Sequence, residues 1–167
     1  MNIKPLFLLL ITLVIGPARL HASSAPGNEA SCEKNASALA AHAGKLDEGL
    51  AAIRQCITED PSQAKAHVIL GDLLFEKGDS QQAMASFDKA LELQPRSSAA
   101  KTGKGIILAQ TGDLKTAEAI LTDALKLNPN PARTHYELGL IYEKLGDTKG
   151  ALSHFKQGIS SHEQETR

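Results

Sequence analysis

The sequence predicts an all-α chain built as an array of antiparallel helix pairs, and three observations carry that reading. Gly71, Gly105 and Gly139 recur 34 residues apart. Behind each comes an alanine (Ala83, Ala117, Ala151), then a bulky apolar residue (Phe87, Leu121, Phe155), then a small one (Ala90, Ala124, Gly158). A Gly-Asp pair repeats in the same register, at Gly78-Asp79, Gly112-Asp113 and Gly146-Asp147, and Pro61, Pro95 and Pro129 keep the period. A fixed period of this length means one supersecondary unit stacked on copies of itself, rather than one closed core. Alanine and leucine supply much of the apolar content and tryptophan is absent, which suits close helix packing over long strands.

Residues 1–22 read as a secretory signal peptide: Lys4 gives a basic start, Leu6 to Ile15 a short apolar run, and Gly16 to Ala22 an exit ending in small residues. The run is short of the ~20 residues that span a bilayer, so an uncleaved anchor is the weaker alternative. Cleavage is expected after Ala22, which removes Lys4 and Arg19 and leaves 16 basic against 19 acidic residues, a formal charge of −3. Nucleic acid calls for a clustered basic face, which this balance does not offer. Residues 23–30 are expected as a flexible leader.

Residues 31–63 form a degenerate first helix pair, with helices expected over 31–43 and 46–58. Gly44, Ile53, Cys56 and Pro61 stand one period before Gly78, Phe87, Ala90 and Pro95, although Ser37 replaces the leading glycine. Cys32 and Cys56 are the two cysteines, and in an exported chain an even pair favours a disulfide; two free buried thiols are the alternative. An antiparallel pair would bring Cys32, early in one helix, level with Cys56, late in the other.

The clear units are 64–97, 98–131 and 132–161, with a polar tail over 162–167. In the first, Val68, Leu70, Leu74 and Phe75 mark an amphipathic helix over 64–77. Gly78 ends it in the left-handed conformation open to glycine, and Asp79 caps the next helix by accepting from its free amides. That second helix, 80–93, buries Ala83, Phe87, Ala90 and Leu91 before Pro95 stops it. Gly71 is expected to sit against Ala90, letting the two helices approach closely. The next two units follow the same logic. Leu152 and Ile159 lie exposed if nothing follows the last helix, and would invite a homodimer through the C-terminal helices.

This frame resembles the tetratricopeptide repeat. The family's spacing is matched by His67, Leu70, Gly71, Leu74, Ala83, Phe87, Ala90 and Pro95, then by Lys101, Lys104, Gly105, Leu108, Ala117, Leu121, Ala124 and Pro129. His135, Leu138, Gly139, Tyr142, Ala151, Phe155 and Gly158 give a third copy. Lys101 and Lys104 depart from the family's aromatic and leucine, either as side chains that snorkel at a half-exposed edge or as marks of a loosened middle repeat.

The resemblance implies a right-handed superhelix whose concave side is lined by the first helix of each pair. It places Lys65, Val68, Ile69, Asp72 and Phe75 in that groove, then Ala99, Thr102, Gly103, Ile106, Ala109 and Gln110, then Arg133, Tyr136, Glu137, Leu140 and Glu143. Ala99, Gly103 and Ala109 would leave room for a guest backbone, and Phe75 and Tyr136 would anchor it. The implied partner is another protein, offering a peptide or helix with apolar anchors. The alternative is that Val68, Ile106 and Leu140 only complete packing between repeats.

No catalytic residues, cofactor or metal are expected. Gly103-Lys104-Gly105 lacks the spacing of a phosphate loop. The histidines are scattered, without the i, i+4 pair of a helical metal site. The function expected is therefore a non-catalytic adaptor or scaffold of the bacterial envelope. Its alternatives are a self-associating subunit, or an accessory that presents a substrate chain to an enzyme.

Overall fold

The computed structural model describes residues 26–42, 44–127 and 132–165, with side chains from residue 33 to 164 of these. Eight α-helices run through them: α1 Pro26–Ala41, α2 Leu46–Glu59, α3 Ala64–Glu76, α4 Ser80–Leu93, α5 Ser98–Thr111, α6 Leu114–Leu127, α7 Ala132–Lys144 and α8 Thr148–Glu165. No strand occurs among the described residues. The signal segment 1–22 and Pro129 lie outside them. Two boundaries differ from the sequence reading. Helix α1 begins at Pro26, so residues 26–30 are helical rather than part of a flexible leader; proline suits a first helical position, where its missing N–H costs nothing. Helix α8 runs to Glu165 and takes in most of the expected polar tail.

The turns form as the Gly-Asp pairs dictate. Gly78 and its counterparts Gly112 and Gly146 have φ of 89°, 93° and 80°. That left-handed step turns the following amide back, and Asp79 N–H donates to Leu74 O at 2.9 Å, satisfying a carbonyl the helix end leaves open. Asp79 Oδ1 then accepts from Gln82 N at 3.0 Å, as Asp113 does from Thr116 and Asp147 from Gly150. One dipeptide thus ends one helix and starts the next.

Each odd helix packs chiefly on the even helix that follows. The leading glycines are the reason, though not by the contact expected. A Cβ on Gly71 would lie 2.6 Å from Phe87 Cε1, and one on Gly105 would lie 2.6 Å from Leu121 Cγ. Gly139 opposes Phe155 in the same way. The glycine therefore makes room for the bulky residue sixteen positions on, not for the small one at Ala90. Phe87 (1% exposed) and Leu121 (0%) fill those spaces. In the degenerate pair the roles move across: Ser37 is exposed, and Gly49 on α2 approaches α1, where a Cβ would meet Ala40 at 2.7 Å.

Neighbouring odd helices also touch one another, α1 to α3, α3 to α5 and α5 to α7, whereas no even helix touches another even helix among the described residues. Helices on the inside of a curve are in contact and those on the outside are splayed, so α1, α3, α5 and α7 form the inner layer. The apolar core runs along the array between the layers, with Leu50, Ile53, Leu74, Phe87, Ile107, Leu121, Leu138 and Ile141 nearly or fully buried. Cys56 is also buried. Its expected partner Cys32 stands on α1 with its side chain outside the described residues.

Candidate partner-binding face

The inner face takes its side chains from α3, α5 and α7, and the structure divides the expected groove residues into two sets. Lys65, Ala99, Gln110, Arg133, Tyr136 and Glu143 are exposed, and Ile69, Asp72, Phe75, Glu137 and Leu140 are half-buried. Val68, Thr102, Gly103, Ile106 and Ala109 are buried. They close the seams between helices, so they are structural rather than open to a guest.

The physical reasons differ by residue. Gly103 faces Phe87, whose ring would clash with any added Cβ, so the space it leaves is already occupied. Thr102 Oγ1 lies 2.8 Å from Thr134 Oγ1, a buried hydrogen bond that ties α5 to α7. Ala109 O accepts from Lys144 Nζ at 3.3 Å, a second tie between the same helices. Phe75 and Ile69 lean on the core and present only part of their surface. The middle repeat is therefore well knitted. Lys101 pairs with Asp123 on α6 and Lys104 with Asp88 on α4, which favours the snorkelling reading of these two lysines over a loosened repeat.

Charge on this face is arranged in pairs between helices. Lys65 Nζ lies 2.8 Å from Glu33 Oε2, joining α3 to α1. Arg133 Nη1 lies 2.9 Å from Asp72 Oδ1, reaching from α7 past α5 to α3. Both members of this second pair are well hydrated, so it is worth at most about 1 kcal/mol and can be exchanged for a ligand's charges at little cost. Glu137 beside it has its carboxyl pushed above the usual range by burial, partly offset by Arg133 and Lys144. The apolar side chains that keep open surface here are Phe75 near the end of α3, Ala99 at the start of α5, and Tyr136 and Leu140 on α7, with Lys65, Arg133 and Glu143 exposed on the same helices; Tyr136 also rests on Phe155 of α8, ring centroids 5.7 Å apart.

One cluster escaped the sequence reading. His135 on α7 and His154 on α8 bring their Nδ1 atoms to 3.1 Å. Tyr142 stacks on His154 at 5.2 Å and donates to Glu118 Oε1 at 2.6 Å. The residues are 19 positions apart, a spacing set by the hairpin and invisible to a search for i, i+4 pairs. Among the described residues no three His, Cys, Asp or Glu side chains are placed to hold a metal. Burial lowers both histidine pKa values; the neighbouring His154 charge adds to the effect on His135, and Glu118 opposes it on His154. A histidine depressed in the folded state takes up its proton more readily when unfolded. The α7–α8 hairpin should accordingly be most stable above the unfolded value near 6.5 and lose stability as pH falls below it. Thermal melts between pH 7.5 and 5 should fall with acid, and His154→Gln should flatten that fall; an unchanged slope would remove the pair as its source.

The family model described as "Cytochrome c-type biogenesis protein H TPR domain" matches residues 35–165. No curated protein matches. Among solved structures, TTC0263, a thermophilic TPR protein of Thermus thermophilus, is 23% identical with a TM-score of 0.72, covering 81% of this chain and 75% of that one. PilF of Pseudomonas aeruginosa is 20% identical with a TM-score of 0.67, covering 80% and 63%. MamA is 21% identical with a TM-score of 0.64, covering 84% and 82%. At these identities the likeness speaks for the fold.

Proposed function

The chain belongs to the family of the cytochrome c-type biogenesis protein H TPR domain, and from that premise we propose that it is a non-catalytic adaptor of cytochrome c-type biogenesis in the bacterial envelope. It holds a peptide or helix of another protein against its inner face. The observation that carries this reading is that the inner helices α3, α5 and α7 keep the apolar Phe75, Ala99, Tyr136 and Leu140 at least partly open, with charged side chains among them. An extended or helical segment with apolar anchors suits such a face, and its polar groups can replace the Arg133–Asp72 pair.

Export to the periplasm is part of the proposal and rests on Lys4, the Leu6 to Ile15 run and the small residues ending at Ala22. A Cys32–Cys56 bridge fits that compartment. No helix among the described residues is long and apolar enough to cross a membrane.

A photo-crosslinking amino acid at Ala99, which is exposed at the start of the middle inner helix α5, tests the site in cells. The expected product joins this chain to a c-type cytochrome precursor or to a component of its assembly machinery. Ala99→Glu with Leu140→Gln should reduce that capture at least about tenfold, roughly 1.4 kcal/mol. Its melting point should change little, since neither position is in the core. Crosslinks arising equally from Gln81, on the outer helix α4, would overturn the assignment.

A further inference from the structure

We propose that α8 docks an amphipathic helix of another protein, one that carries two acidic residues seven positions apart on the face it presents. Each of α2, α4 and α6 packs on the odd helix that comes next in the chain. Three contacts fix the register of that packing. Asp47 of α2 pairs with Lys77 at the end of α3 at 2.5 Å, Asp88 of α4 with Lys104 of α5 at 2.5 Å, and Glu118 of α6 accepts from Tyr142 of α7 at 2.6 Å. Carried along by the 34-residue period, all three fall in one antiparallel alignment. The places of Asp47, Glu118 and Asp88 are held on α8 by Lys149, Leu152 and Lys156. Where α2 and α4 present a carboxylate to a lysine of the covering helix, α8 therefore presents the opposite charge. Both α8 lysines are exposed, and among the described residues neither has an ion-pair partner. Arg54 on α2 and Lys115 on α6 put a cation at one of the two places; α8 alone puts one at both. Leu152 between them is 54% exposed and Ile159 beyond them 61%, whereas Met84 and Leu91, their counterparts on α4, are half-buried against the core.

The charges select the occupant. A helix lying on α8 in this register sets one residue against Lys156, the residue four positions on against Leu152, and the residue seven on against Lys149. Complementarity asks for acid, apolar and acid in turn, and an apolar residue three positions before the first acid meets Ile159. These four positions share one face of a helix, the pattern by which an amphipathic helix seats itself. A second copy of this chain does not supply it. None of its odd helices has an acid at either of the two places, and α3 and α5 have Lys77 and Lys104 there, so they would set lysine against lysine.

Lys149, Leu152 and Lys156 lie apart from the inner face; of this stripe only Ile159 reaches the cleft that Arg133 and Tyr136 border. The proposal thus stands whatever the inner face binds. The probe is a fluorescent peptide of residues 98–111 carrying Lys101→Leu, Lys104→Glu and Thr111→Glu, stapled on its outward face to hold it helical. Helix α5 is the template because Gly103 makes room for Phe87, whose place on α8 is taken by Phe155. Fluorescence anisotropy with the purified chain should show saturable binding. A control peptide that keeps Lys104 and Thr111 should bind about tenfold more weakly, since exposed attractions become a repulsion. Lys149→Glu with Lys156→Glu in the chain should reverse that preference, and Leu152→Glu should abolish capture of either peptide, both with unchanged helicity by circular dichroism. No binding of the acidic peptide, equal binding of the two peptides, or a preference that survives the charge reversal would each overturn the proposal. The Ala99 crosslink reports on the inner face separately, so either reading can fail without the other.

Discussion

Phe87→Ala should lower the stability of the array by about 3–5 kcal/mol, the range for emptying a buried aromatic site. The ring is 1% exposed and stands between two glycines, Gly71 of its own helix pair and Gly103 of the next. Both backbones come so close that neither position could hold a Cβ without moving the ring, so its removal leaves a void walled by helix backbone. Backbone in regular helices collapses poorly into such a void, which puts the cost toward the upper end. The damage should also spread, because the ring belongs at once to the α3–α4 pair and to its junction with α5. In a linear array, stability is the sum of unit and interface contributions, and this substitution weakens both. Urea unfolding followed by circular dichroism is the measurement, with Leu145→Ala as a control at a residue 53% exposed. Phe87→Leu should cost less, since Leu121 fills the equivalent place opposite Gly105. A loss below about 1 kcal/mol for Phe87→Ala, within the range of ordinary surface changes, would contradict the ring's role as the keystone of that junction.

Reduction of the expected Cys32–Cys56 bridge should cost about 3 kcal/mol, the value for closing a loop of this length in the unfolded chain. Cys56 is 2% exposed on α2, where it packs in the first core cluster beside Ile53. The degenerate pair needs such support more than the others. It lacks the leading glycine and bulky aromatic that lock α3 to α4, and relies on Gly49 approaching Ala40. Alkylation of the denatured but unreduced chain, read by mass spectrometry, should modify neither cysteine. Thermal melts with and without reductant then give the stability difference. A thiol that alkylates without reduction would remove the bridge, and a melt indifferent to reductant would remove its energetic role.

Several features were legible because their causes are local. Gly78, Gly112 and Gly146 adopt the left-handed conformation that the Gly-Asp repeat announces, and Asp79, Asp113 and Asp147 cap the helices that follow. Both facts depend on residues within one turn of each other, so spacing is enough to find them. The partner of Gly71 was less legible. Sequence spacing says that a small residue implies a close neighbour, but the choice between Phe87 and Ala90 depends on how far one helix slides along the other. The same slide brings His135 to His154, a pair that no local pattern reveals.

The binding face divides along the same line. Period and resemblance select the helices that line it, and they select the candidates as a class. Which members remain open is a matter of packing between units. Thr102 and Thr134 find each other across 32 residues, Phe87 occupies the space above Gly103, and Arg133 reaches Asp72 across an intervening helix. The sequence by itself determined the all-α class, the helix-pair unit, its turns and its period, because each rests on conformational preferences and hydrophobic spacing within a short stretch of chain. Only the tertiary structure decided which inner residues are seam and which are surface, and that Phe155 on α8 is held against Gly139 while Leu152 and Ile159 stay exposed, because burial is a property of neighbours brought together from distant parts of the chain.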